Sequence, residues 1–164
     1  MLHAPGEAVE KLSGPMHREA LSATLAAIEH SLRERIVSSP ISAPDEALIR
    51  YLVGTMGDCP REQVRVLYLD SGNHLLRDEV AVEGGPNHAS ASPRAIIARA
   101  LQLEATALLL AHNHPGGDTQ PSGADIRFTR LLARVAADLG IALHDHLIIA
   151  GGKWSSMRAA GVLS

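Results

Sequence analysis

The segment Ala105 to Ala111, Ala-Thr-Ala-Leu-Leu-Leu-Ala, is the longest nearly apolar run in the chain and leads directly into His112-Asn113-His114. It is far shorter than the ~20 residues of a membrane-spanning helix. Its length and flanks read instead as a buried strand. The 164 residues are 46% hydrophobic and 20% charged, which suits one soluble globular domain with a real core. Aromatic residues are four, Tyr51, Tyr68, Phe128 and Trp154, so that core is aliphatic. The single Cys59 excludes an intrachain disulfide and with it a disulfide-stapled secreted fold. A formal charge of −3 with no long basic block argues against whole-molecule attraction to nucleic acid or to an anionic membrane, leaving only a local basic patch. No charged-then-apolar signal pattern stands at the N-terminus, so a cytoplasmic location is expected. Composition does not explain nine histidines.

Around the central run the chain is punctuated clearly. Residues 1 to 15 carry Pro5, Gly6, Gly14 and Pro15 and read as a lead-in. Leu21, Leu25, Ile28 and Leu32 recur at helical spacing, predicting a helix from Met16 to about Arg35. Ser38 to Pro44 is a linker, placing a boundary near residue 40. A second helix, about Asp45 to Met56, presents Leu48, Ile49, Leu52 and Val53 and stops at Gly57, Asp58 and Pro60. Strands are expected at Val64 to Leu69 and His74 to Glu83, joined by the turn Asp70-Ser71-Gly72-Asn73 as a hairpin. After the loop Gly84 to Asn87, Ser92 and Pro93 look like the cap and first position of a helix to about Leu103. A helix over Ser122 to Leu139 follows the glycine- and proline-rich loop, with Ile126, Leu131, Leu132 and Val135 as its apolar side. Ile141 to Ile149 reads as a last strand, and Gly151-Gly152 turns into a short terminal segment around Trp154 to Met157. The order α-α-β-β-α-β-α-β makes an α/β protein of mixed sheet and helices.

The chemistry concentrates after the buried strand, in His-Asn-His-Pro-Gly-Gly-Asp-Thr-Gln-Pro-Ser-Gly-Ala-Asp, residues 112 to 125. Alternate residues of an extended segment point to the same side, so His112 and His114 can face one point. Asp125, in the first turn of the next helix, can close the third corner if the loop folds back. Two neutral imidazoles and a carboxylate suit zinc, and a fourth position left to water makes such a site catalytic. Metal there would lower the pKa of the water from 15.7 to about 7. Ser122-x-x-Asp125 before an apolar run is equally a helix-capping signature.

The spacing H-x-H-x(7)-S-x(2)-D resembles the signature of the JAMM/MPN metalloenzyme domain, and its surroundings resemble the bacterial RadC branch of that group. The matching features are the His-Asn-His-Pro loop with Gly117-Asp118 and Pro121-Ser122, the helix start Ser92-Pro93-Arg94, the Leu69-Asp70 hairpin, and His144-Asp145-His146-Leu147-Ile148-Ile149. They span residues 38 to 164. The resemblance implies a cytidine-deaminase-like mixed β-sheet flanked by helices, with His112, His114 and Asp125 on zinc and water in the fourth position. It also implies a Glu at the start of the first sheet strand that accepts the water's proton, and a role for Ser122 in steadying the oxyanion. Glu62, just before the first strand, stands at that place. Glu79 on the second strand and Glu83 at its end can also serve if they come within about 2.6–3.2 Å of the water.

Three departures from the RadC pattern stand out. Gly116 occupies a position where Ser is common, Glu83-Gly84-Gly85-Pro86 replaces a Gly-Thr stretch, and of the usual N-terminal helix-hairpin-helix module residues 1–40 retain a remnant of one helix with its linker. Residues 41–164 form the metal-binding domain. His144-Asp145-His146 resembles a second metal pair but has no third ligand at suitable spacing. Asp145 and His146 read as hydrogen-bonded structure near the site, with support of a ligand as the sharper option. Neither Gly84-Gly85 nor Gly116-Gly117 has the frame of a phosphate loop, and Cys59 reads as a bystander thiol. His3, His17, His30, His74 and His88 look like ordinary surface residues.

The leading expectation is a cytoplasmic zinc metallohydrolase, metallopeptidase- or isopeptidase-like, acting on a peptide, protein or small-amide substrate. The alternative is a non-enzymatic DNA-repair accessory or protein-interaction module that retains the metal site, for which nucleic acid would be the partner. The Leu stripe of the first helix is a candidate surface for a homodimer.

Overall fold

A computed structural model describes residues 15–42, 44–83 and 92–163. The lead-in at 1–14 with His3, the loop Gly84–Asn87 with His88, and the side chains of His17, Leu25 and Glu83 lie outside the described residues. Helix α1 spans Pro15–Val37. Helix α2, Glu46–Met56, begins where the Asp45 carboxylate accepts the Ala47 N–H at 2.6 Å. Strands β1, Gln63–Leu69, and β2, Leu75–Glu83, form the hairpin. Asp70 Oδ1 closes its turn by accepting the N–H groups of Gly72 and His74 at 2.8 and 2.9 Å. Helix α3, Pro93–Gln102, starts with Pro at N1, although Ser92 at the N-cap makes no side-chain cap bond. Strand β3 is Ala107–Asn113, helix α4 Gly123–Asp138, strand β4 Ala142–Ala150 and strand β5 Lys153–Ser156.

The five strands make one open sheet in the order β2-β1-β3-β4-β5. Only β3 and β4 are parallel, because α4 crosses over between them. Both faces of the sheet are covered. On one, Ile36 of α1 and Leu48, Leu52 and Met56 of α2 pack on Leu67, Leu69, Leu109, Leu147 and Ile149. On the other, Ile96 and Ala100 of α3 and Leu132 and Ala136 of α4 pack on Val66, Tyr68, Leu108, Leu110 and Leu143. That double cover is why all seven residues of β3 are buried and why its sequence runs apolar without alternation. The α/β expectation of a mixed sheet flanked by helices therefore holds. No helix among the described residues is long and apolar enough to cross a membrane.

Three details depart from the pattern expected of the sequence. The terminal segment contains a fifth strand, because Gly151, at φ 58°, and Gly152 form a two-residue turn that pairs Ala150 with Lys153 and Ile149 with Trp154. Strand β3 begins and ends two residues later than its apolar run, so that His112 and Asn113 belong to the strand itself. On α4 the buried residues are Thr129, Leu132 and Ala136, spaced three and four apart along one face, whereas Leu131, one position off that stripe, is 42% exposed. Along α1, Leu32 and Ile36 pack on the core while Leu21 and Ile28 are exposed.

Candidate metal centre

The site lies at the end of the sheet where β3 and β4 finish and β1 begins. His112 is the penultimate residue of β3 and is buried, and His114, one residue past the strand, continues the pairing through its N–H to Ile149 O at 2.8 Å. Strand periodicity therefore sends both imidazoles to the same side and Asn113 to the other. The fully buried Asn113 side chain uses its polar atoms to bind the loop before β1. Its Oδ1 accepts the Gln63 N–H at 2.8 Å, and its Nδ2 donates to the carbonyls of Cys59 and Arg61 at 3.1 Å each. Glu62 is carried on that loop. One ligand atom from each of Glu62, His112, His114 and Asp125 lies within 4.8 Å of all the others.

Asp125 reaches this point from the first turn of α4 by way of a complete capping box. Ser122 Oγ accepts the Asp125 N–H at 3.1 Å, and Asp125 Oδ2 accepts the Ser122 N–H at 2.7 Å. Capping and convergence on the histidines are thus one arrangement, since the bond that caps the helix also aims the carboxylate. Asp125 Oδ1 is 3.6 Å from His112 Nε2, and Oδ2 is 3.6 Å from His114 Nε2. Burial would raise the Asp125 carboxyl, but the side chains of His112 and Ser122 and the Ser122 N–H together hold it well below the usual carboxylate range.

The donor set fits a divalent metal. His114 Nδ1 lies 2.7 Å from the Asp118 carbonyl, which can only accept, so Nδ1 carries a proton and Nε2 is the nitrogen left to face a metal. That Nε2 is 2.8 Å from His112 Nε2. Ligands about 2.0–2.2 Å from one tetrahedral zinc stand roughly 3.3 Å apart, within the 2.8 to 3.6 Å that separates these nitrogens and oxygens. The loop between His114 and Ser122 turns at Gly117, at φ 82°, and is held by Ser155 Oγ donating to Thr119 O at 2.6 Å. A Cβ at Gly116 would meet nothing within 4 Å, so glycine there displaces no ligand.

The remaining candidates fall elsewhere. Glu79 is gripped by Arg99, whose Nη2 and Nε donate at 2.6 and 3.1 Å, and that hydrogen bonding lowers its carboxyl despite some opposing burial. His144 and His146 do not share a side. The β3–β4 register shifts between Leu108 and Leu109, leaving His144 as an extra residue whose Nε2 lies 2.7 Å from Asn73 Oδ1. Asp145 accepts from Ser156 Oγ at 2.5 Å and from the N–H of Arg158 at 3.0 Å, tying β5 and the turn after it to β4. His146 is wholly buried against His112, with its Nε2 2.8 Å from His112 Nδ1, and burial pushes its imidazole down to about 3, so it is neutral. Cys59 is a free, half-buried thiol that meets Gln63 Nε2 at 2.8 Å. His30 and His74 are exposed beside Glu34 and Asp70. Sequence reading missed Asn113 as the anchor of the Glu62 loop; its partners lie 50 to 54 residues away, and no local pattern signals them.

Comparison with known proteins adds family and relatives to this geometry. A family model described as the RadC-like JAB domain matches residues 41–162. A UPF0758 protein of Rhodobacter capsulatus is 44% identical over 138 residues, covering 84% of this chain and 64% of its own length. Another, from Ruegeria pomeroyi, is 39% identical over 167 residues, covering 99% of this chain and 74% of its own length. The chain thus spans about two thirds to three quarters of these relatives.

Proposed function

This chain belongs to the RadC-like JAB domain family, and from that premise we propose that it is a zinc-dependent hydrolase cleaving an amide or isopeptide bond in a peptide, protein or small-amide substrate. The observation that carries the reading is the convergence of one carboxylate or imidazole atom from each of Glu62, His112, His114 and Asp125 within 4.8 Å, drawn from a loop, a strand end and a helix start. His112, His114 and Asp125 would hold the ion. Zinc so held supplies a Lewis acid for the carbonyl and lowers the pKa of its water to about 7.

The protein's own groups supply the rest. Glu62 is exposed on its anchored loop, where a carboxylate oxygen can take a proton from the attacking water and return it to the leaving nitrogen. Asp125 stays ionised throughout, because its hydrogen bonds hold its carboxyl low. Ser122 accepts through its oxygen in the cap, and a hydroxyl used in that way keeps its hydrogen to donate to the carbonyl oxygen as charge develops there.

The test is elemental analysis of protein purified without chelator. About one zinc per chain is expected for the wild type and essentially none for His112→Ala. Wild-type protein without stoichiometric metal, after incubation with zinc and removal of the excess, would overturn the reading.

A further inference from the structure

Behind the site, a line of buried groups runs inward from His112. His112 Nδ1 is 2.8 Å from His146 Nε2, His146 Nδ1 is 2.6 Å from Thr129 Oγ1, and Thr129 Oγ1 is 3.5 Å from the sulfur of Met157. All four residues are at most 2% exposed, and they come from β3, β4, α4 and the turn after β5.

The His112–His146 and His146–Thr129 contacts each hold one proton, and with one proton on each ring only two arrangements satisfy both. In the first, the Thr129 hydroxyl donates to His146, His146 Nε2–H donates to His112 Nδ1, and His112 carries its proton on Nε2. That proton then points at His114 Nε2, 2.8 Å away, and occupies the space between the ligands. In the second, the Thr129 hydroxyl turns to the Met157 sulfur, a weak acceptor that cannot donate. His146 Nδ1–H then donates to the threonine oxygen, His146 Nε2 accepts from His112 Nδ1–H, and His112 Nε2 becomes a bare lone pair. With His114 fixed in the same tautomer by the Asp118 carbonyl, both metal-facing nitrogens are free to ligate.

We propose that His146 and Thr129 are positioning residues that hold His112 in its Nδ1–H tautomer, with the Met157 sulfur as the acceptor that turns the Thr129 hydroxyl away from His146. The inference rests on the metal reading above and extends it to residues that never touch the ion. It also assigns a task to the second histidine of His144-Asp145-His146: its Asp145 neighbour pins Ser156 and Arg158, the residues on either side of Met157.

Two measurements decide it. Long-range proton–nitrogen NMR spectra of zinc-loaded wild-type protein, which need no variant, should show His112 and His146 both protonated on Nδ1; a proton on His146 Nε2 overturns the proposal. Zinc affinity by competition with a chromophoric chelator should weaken about 10- to 100-fold in Thr129→Val, the range for loss of a partner behind a ligand, and return close to wild type in Thr129→Ser. A Thr129→Val protein with a lower Tm but unchanged zinc affinity shows a merely structural threonine and also overturns it. Wild-type protein that fails to bind zinc sinks the metal reading and this inference together. Wild-type binding with an indifferent Thr129→Val sinks the inference alone.

Discussion

Two side chains one residue apart divide the chemistry of the site between them. His112 faces the metal position, and Asn113, on the opposite side of the strand, spends its amide on the loop that carries Glu62. Replacing Asn113 with Ala strands a buried N–H and two carbonyls, so a loss of about 2–3 kcal/mol in denaturant unfolding is expected. On the proposed zinc reading, metal content should match that of the wild type, because none of the proposed ligands is removed. Glu62→Gln should also keep its zinc, show little change in stability because the side chain is exposed, and lose about 10²–10⁴ in turnover on any amide substrate that the wild type cleaves. Loss of zinc in that variant would make Glu62 a ligand and not a proton carrier. The histidines and Asp125 are legible in sequence because their logic is local, a period of two on a strand and a cap three residues long. Asn113 is not, because its meaning depends on a loop some fifty residues earlier.

At the level of elements, most of the architecture follows from pattern. The helices and four of the strands begin and end within two residues of where periodicity and turn residues put them. The exception, β5, is four residues long with no alternation, and it exists because its neighbour β4 presents an open edge beyond a Gly-Gly turn. Yet β5 bears on the site from two sides. Ser155 bonds the Thr119 carbonyl of the metal loop, and Ser156, with the following turn, brings Met157 beneath Thr129. Ser155→Ala removes one hydrogen bond, worth about 1 kcal/mol, and zinc affinity should fall by about 5-fold with the fold intact by circular dichroism. An unchanged affinity would mean that the loop is held by the His114–Asp118 bond alone. The close approach of α2 to the β4–β5 turn gives a separate test. A Cβ at Gly57 would meet Gly151 O and Val53 O at 2.6 Å each, both backbone atoms that cannot swing away, so Gly57→Ala should destabilise by about 1–3 kcal/mol.

Taken as a whole, the molecule places its only two tyrosines on opposite faces of one sheet. Tyr51 is a buried residue of α2, donating to Asp78 and accepting from Arg65 Nη1 at 2.8 Å, and Arg65 also pairs with Asp78 at 2.8 Å. Tyr68 lies under α3. Burial first, then the hydrogen bond to Asp78, pushes the Tyr51 phenol up; burial, then the negative charge of Glu79, pushes Tyr68 up to about 12. The sparse aromatic composition predicts an aliphatic core but not that each half of it holds one phenol, which only the topology reveals. In the unfolded chain both phenols ionise near 10. Between pH 10 and about 12 the folded protein therefore keeps protons that the unfolded chain has released. The stability contributed by this difference is fully present below pH 10 and is lost as pH rises through the folded values, with a slope approaching about 1.4 kcal/mol per pH unit for each tyrosine. Phenolate absorbance should consequently stay flat past pH 10 and rise together with the loss of far-ultraviolet dichroism, as one transition that reports both halves of the core. An absorbance rise centred on pH 10 while the dichroism is still native would show that at least one face of the sheet is open to solvent. Because neither tyrosine is among the four residues that converge at the candidate metal centre, the transition should be present in zinc-loaded and zinc-stripped protein alike, which separates the integrity of the fold from occupation of the site.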